Sequence, residues 1–169
     1  MKKFELTNDT KIVFGKKLFR IRALVSFGNV KKDELGGYVE KEENLSHAGN
    51  AWVYDDAWVY DDARVCGNAR VYGDARVCGD ARVCGNARVC GNADYTCVKG
   101  FGTEYRNTTF YFQKDGSIGV KCGCFSGTLE EFREQVKNTR EGKIAKEYLM
   151  IADLMEYHFE KEEGKGDNE

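Results

Sequence analysis

The chain has 169 residues, a formal charge of −2 and 32% charged residues, so it offers no bulk attraction to nucleic acid or to a membrane surface. It contains no run of 18 apolar residues, which rules out a spanning helix, and the start "MKKFELTNDTK" lacks the apolar centre of a secretory signal. With no secretory context, the seven cysteines read as reduced thiols, and the absence of proline leaves the turns to Gly, Asn and Asp.

Residues 1–38 hold nine Lys/Arg against four Asp/Glu, a basic end that suits solvated strands as well as an anionic partner. Within it "KFELT", "KIVFG" and "LFRIRALVSF" read as strands, with "ND" and "GKK" as turns. The Gly36-Gly37 pair marks a tight entry into the central part of the chain.

From Ala51 a six-residue unit recurs seven times: AWVYDD twice, then ARVCGN, ARVYGD, ARVCGD, ARVCGN and ARVCGN. A fixed short period decides the architecture before any other signal. Ala and Val lie two apart and fall on one side of a short strand, while the Arg or Trp between them faces out. Gly-Asn, Gly-Asp and Asp-Asp close each unit with residues that tolerate the left-handed conformation of a sharp corner. Each unit is therefore a strand plus a corner, and the chain is a β-solenoid.

After Asp94 the repeat stops. "TTFYFQ-KDGS-IGVKCG" reads as a hairpin around Asp115-Gly116. "SGTLEEF" is a capping box, Thr128 as N-cap with Glu131 three residues on, and Leu129, Phe132 and Val136 line the helix it starts. Gly142 breaks that helix; Ile144, Tyr148, Ile151, Met155 and Phe159 line a second. The helices are expected to pack over the hairpin and close the end of the solenoid, whose open edges need caps. The expected division is a β cap over 1–38, the repeat over 39–94, a hairpin and two-helix domain over 95–160, and a disordered acidic tail over 161–169.

The pattern Val-x-Gly-Asn/Asp-Ala-x resembles the hexapeptide repeat of left-handed parallel β-helices. That likeness implies three units per triangular coil, residue i stacked on i+18, and a left hand where the general crossover rule would favour the right. The fold expected is thus mainly β: a short left-handed parallel β-helix with an N-terminal β-strand cap and a C-terminal hairpin plus two-helix cap. Seven units make a little over two coils, Val39 to Asn50 adding most of another, so the stack is short. The step of 18 puts Trp52 over Arg70, Trp58 over Arg76, Tyr54 over Tyr72, Arg64 over Arg82 and Cys66 beside Cys84. "GKKLFRIRAL", "LGGYVEKEENLSHAGNAWV" and "CGCFSGTLEEF" further resemble a group of small proteins of bacteriophages and prophages of gut bacteria. This second likeness implies a phage setting in the host cytosol rather than an established activity.

Many hexapeptide β-helix proteins are acyltransferases with a histidine base beside a groove between subunits of a trimer. Here His47 and His158 are the two histidines, and neither has a neighbouring motif to orient it. Three thiolates, Cys97, Cys122 and Cys124, are the nearest approach to a metal set, and CxC is not a zinc knuckle. The expectation is a non-enzymatic binding protein with no catalytic residue, cofactor or metal, and with self-association as in the resembling families. The purpose expected is to antagonise a bacterial defence system. One route is to sequester an anionic nucleotide messenger with Arg106, Lys121 and the Ser126 to Thr128 helix start. The other is to cover a host protein with Trp52, Tyr54, Trp58 and Tyr60 and with Arg64, Arg70 and Arg82. Aromatics beside arginine have the composition of binding hot spots, which favours the second route.

Overall fold

The computed structural model describes residues 1–161. Its centre is a stack of seven two-residue strands: β4 (Trp52–Val53), β5 (Trp58–Val59), β6 (Arg64–Val65), β7 (Arg70–Val71), β8 (Arg76–Val77), β9 (Arg82–Val83) and β10 (Arg88–Val89). They pair in parallel on three faces, β4-β7-β10, β5-β8 and β6-β9, each strand in register with the one 18 residues on. The Ala that precedes each strand and the Val within it are fully buried, so small and branched side chains fill the middle of the core, with Trp52 and Tyr111 added where the two caps meet it. Corners stack as tightly as the strands. A Cβ on Gly49 would stand 2.5 Å from the Gly67 carbonyl oxygen, and both glycines have positive φ. In the two AWVYDD units Asp55 and Asp61 take that left-handed place (φ 52° and 58°), and the Asp61 carboxylate accepts the N–H of Gly79 one coil below at 3.1 Å.

The N-terminal cap is one sheet continuous with the solenoid. β1 (Phe4–Val13) and β2 (Lys16–Ala23) form a hairpin, β2 pairs antiparallel with β3 (Leu35–Val39), and β3 pairs parallel with β5. The "ND" expected as a turn is instead an irregularity inside β1, between Leu6 and Thr10; the turn falls at Phe14-Gly15. Tyr38 pairs with Trp58 and Leu45 with Val65, a step of 20, so the first coil holds two more residues than the rest before Asn50 resumes the step of 18. The extra length bulges at His47. Gly36 is required where β3 crosses the coil, since a Cβ there would meet the Val53 carbonyl oxygen at 2.5 Å and the Trp52 ring at 2.8 Å.

The other end is closed by an antiparallel sheet of four strands, β11 (Tyr95–Phe101), β12 (Arg106–Phe112), β13 (Ile118–Cys122) and β14 (Phe125–Thr128), of which β12 and β13 are the expected hairpin. Alternation along β12 gives the sheet two working faces. Thr109 and Tyr111 face the solenoid: Thr109 Oγ1 accepts the N–H of Arg82 at 3.0 Å, and Tyr111 is buried in the solenoid core. Phe110 faces the other way, with Val120, into a second core made with α1 (Leu129–Thr139) and α2 (Gly142–Phe159). The helices therefore do not close the solenoid. The sheet does, and the helices cover its far side. The capping box is formed, Thr128 Oγ1 accepting from the Glu131 N–H at 3.2 Å. The acidic tail lies, from residue 162, outside the described residues. No helix among the described residues is long and apolar enough to cross a membrane.

Candidate anion-binding face

The β6-β9 face carries Arg64 and Arg82 side by side, held by the parallel pairing of the strands that bear them. Two cavities flank this pair. One, of about 600 Å³, runs from Ser46 and His47 across Cys66 and Cys84 to Lys121. The second, of about 520 Å³, is bounded by Lys99, Tyr105, Arg106, Asn107 and Gly123. Lys121 and Arg106 arrive only because the four-stranded sheet docks under the last coil, a contact made by Asn107 Nδ2 donating to the Asp80 carbonyl at 2.9 Å.

The charges on this face are unequally matched. Lys99 holds Asp80 at 2.6 Å and Lys41 holds Asp62 at 2.8 Å, and the Lys41 ammonium keeps the Asp62 carboxyl below its usual range. His47 and Lys2 both engage Glu42, whose carboxyl is held low chiefly by the His47 hydrogen bond. Of the carboxylates that line the two cavities, Glu42, Asp62 and Asp80 are thus occupied by lysines and a histidine, while Glu43 makes no ion pair among the described residues. Arg64, Arg82, Arg106 and Lys121 make no ion pair among the described residues. These four cations outnumber the one unpaired carboxylate, Glu43, and are mutually unfavourable without an anion between them; guanidinium pairs are well shaped for phosphate or carboxylate.

His47 is committed elsewhere. Its Nδ1 accepts the Lys3 N–H at 3.1 Å, which puts the ring proton on Nε2, donated to Glu42 at 2.7 Å, and Phe4 stacks on the ring at 4.4 Å. Neither nitrogen has a lone pair free for a substrate proton. The three thiols considered for metal are divided by β12: Cys97 is beside Thr109 on the solenoid side, whereas Cys122 accepts from Thr108 on the helix side. Cys66 and Cys84 are joined as a disulfide, with Cα atoms 4.7 Å apart, which corrects the reading of all seven cysteines as reduced.

Of the residues expected at an anion pocket, Lys121 and Arg106 join the arginine ridge from either side, and Ser126 and Thr128 do not. The helix start is already filled: the Glu131 carboxylate accepts the Thr128 N–H at 2.8 Å, so a carboxylate of the chain itself sits where an anion would bind. The expected partner surface is also redrawn. Trp52 is fully buried, because no coil lies above it and Phe4 and Phe27 pack edge-on against its ring instead. Trp58 and Tyr60 are half-buried, Arg76 lies 4.6 Å over the Trp58 ring, and a hydrogen bond with Cys78 helps push the Tyr60 hydroxyl up to about 12. Tyr54 and Arg70 share a separate shallow hollow with Tyr72 and Arg88 on the β4-β7-β10 face. The expected aromatics and arginines therefore lie on three faces, where only Arg64 with Arg82 and Tyr54 with Arg70 come together, and they form no single surface. Tyr105, Asn107 and Lys99 carry no local motif in the sequence; they reach the face through sheet docking alone.

The family model described as YdcK beta solenoid repeat matches residues 63–79 and 81–93. The match spans the corners and strands from Ala63 to Ala93, which agrees with the solenoid and leaves both flanking sheets outside it. A search of curated proteins gives no match.

Proposed function

We propose that the protein is a non-enzymatic binding protein that captures an anionic, phosphate-bearing ligand across the Arg64–Arg82 ridge. The observation that carries this is the set of four unmatched cations, Arg64, Arg82, Arg106 and Lys121, around two adjoining cavities. The resemblance of the flanking motifs to phage proteins extends the reading: a phage-encoded protein in the bacterial cytosol that withdraws a signalling nucleotide from a defence system. In this reading the solenoid is a left-handed β-helix of the hexapeptide kind, and the two flanking sheets are the caps particular to that group. Copies associate, with the apolar row Met150, Leu154 and Tyr157 on the outer side of α2 as the contact surface.

The test is thermal unfolding against linear and cyclic nucleotides, ADP-ribose compounds and coenzyme A. A ligand bound only to the folded chain at 100 times its dissociation constant adds about 2.7 kcal/mol. The expected result is a shift with a nucleotide class that disappears in Arg64→Ala/Arg82→Ala and persists in Arg70→Ala. A flat panel sinks the reading. A protein partner on the Tyr54, Arg70, Tyr72 and Arg88 hollow is the second reading, supported by the Arg70 guanidinium 6.0 Å over the Tyr54 ring. The acyltransferase alternative has less support, because the histidine it would use as base is bonded at both ring nitrogens.

A further inference from the structure

Cys66 and Cys84 are the one place in the repeat where the step of 18 puts a cysteine on a cysteine; Cys78 falls on Thr96, and Cys90 lies below Tyr72. Their disulfide is part of the larger cavity wall, in company with Arg64, Arg82 and Lys121 and with two carboxylates, Glu42, which is held by His47 and Lys2, and Glu43. It is open to the cavity unequally, Cys66 half-buried and Cys84 only 7% exposed. A bridge that merely tied coils together would gain nothing from lining a cavity beside three cations, two of them already repelling one another. In the cytosolic setting of the proposed function, disulfides are commonly transient and catalytic or redox-sensing rather than structural.

We propose that Cys66–Cys84 is a reactive disulfide that exchanges with small anionic thiols, those carrying carboxylate, sulfonate or phosphate groups. The proposal rests on the same cation face as the ligand reading. The incoming thiolate attacks Sγ of Cys66, the more exposed residue of the two; a bond forms between that sulfur and the thiol, the Cys66–Cys84 bond breaks, and its electron pair leaves on Cys84 as a thiolate. A second thiolate then attacks the mixed disulfide at the small-molecule sulfur, releasing a small-molecule disulfide and the Cys66 thiolate. Two thiols are oxidised and one protein disulfide is reduced to two thiols, so the exchange balances. The cations act twice. They raise the local concentration of the anionic thiol, and they stabilise the departing thiolate, which makes it a better leaving group.

The experiment measures exchange on the full chain by mass spectrometry, with mercaptoethanesulfonate, 2-mercaptoethanol and cysteamine as anionic, neutral and cationic probes, each rate corrected for its thiolate fraction. At low salt the anionic thiol is expected to react faster than the cationic one by on the order of tenfold or more. High salt, or Arg82→Ala/Lys121→Ala, should collapse that ratio. Thiol titration of the protein as isolated should find five free thiols, the number left by one bridge. Seven free thiols, or corrected rates indifferent to probe charge, would overturn the proposal. Nucleotide binding measured on Cys66→Ser/Cys84→Ser separates the two readings. Binding kept there while wild-type exchange ignores charge rejects the reactive bridge alone; selective exchange with no nucleotide bound rejects the nucleotide alone.

Discussion

Lys3 is a charged side chain in an apolar place, 3% exposed, with Nζ donating to the Ala51 carbonyl at 2.8 Å and lying 4.7 Å over the Phe27 ring. Burial lowers its ammonium from 10.5 to about 8. Between those two values the unfolded chain keeps a proton that the folded chain has shed, so this residue makes stability rise with pH through that window. Chemical denaturation at about pH 7 and about pH 10 should therefore show the wild type gaining on Lys3→Met. A constant gap between the two proteins would mean that the charge is not buried. Because Trp52 is fully buried under Phe4 and Phe27, Trp52→Ala should cost about 3–5 kcal/mol. Trp58→Ala should cost about 1–2 kcal/mol, one cation–π contact and part of an apolar cover. Equal losses in urea titrations of the two variants would contradict the assignment of Trp52 to the core.

Both ends of the solenoid are finished by sheets, and the sheets differ in how they are attached. At the start the chain simply continues its own hydrogen bonding, β3 handing on to β5; at the end a separately folded sheet is laid across the last coil. That second attachment depends on the Tyr111 ring packing against Gly119, its partner across β12 and β13, in the space a side chain would fill. A methyl group at Gly119 would displace the ring, so Gly119→Ala should destabilise by about 1–3 kcal/mol. Hydrogen exchange should then speed up at the Arg82 amide, whose acceptor is Thr109, and leave α2 unchanged. Acceleration spread evenly over sheet, coil and helices would mean that Tyr111 is no hinge point between them. The same contrast between local and docked elements decides how much of the fold is legible in the sequence. Period-six repetition makes the strands and their stacking partners legible, and the capping box and helical spacing make α1 and α2 legible, because each is a local rule. β11 and β14 escape a local reading: "YTCVKGF" and "FSGT" have no clean alternation, and they become strands only by pairing with β12 and β13. For the same reason the burial of Trp52 is invisible locally. The repeat makes its position an outward one, and only the absence of a coil above it lets the N-terminal cap fold over the ring.

The candidate anion site is only half legible in the sequence. Arg64 over Arg82 and Cys66 beside Cys84 come from counting by 18, whereas Lys121 and Arg106 belong to a sheet whose docking no repeat encodes. The same view bears on self-association. Short solenoids can stack end to end, but here both ends are covered, and the edge strand β1 is guarded by its irregularity and by Lys11. The three solenoid faces present arginine beside tyrosine, cysteine and one half-buried tryptophan, with the aspartates at the corners. Apolar exposure is concentrated elsewhere, at Ile12 and Phe14 on the hairpin tip and at Met150, Leu154 and Tyr157 on α2. The second group recurs at i, i+4 and i+7, which draws one row along a helix, and a row can be buried against a copy of itself where a hairpin tip offers only a point. Arg133 secures Asp153 at 2.9 Å and, with Glu156, ties the acidic side of α2 to α1, so that side is neutralised beside the row rather than left to repel a second copy. Sedimentation equilibrium of the wild type should therefore give a multiple of the chain mass, and Leu154→Glu should reduce it to one chain with unchanged nucleotide-induced stabilisation. Should Leu154→Glu leave the mass unchanged while Phe14→Glu lowers it, the association runs through the hairpin tip and the α2 row has another purpose.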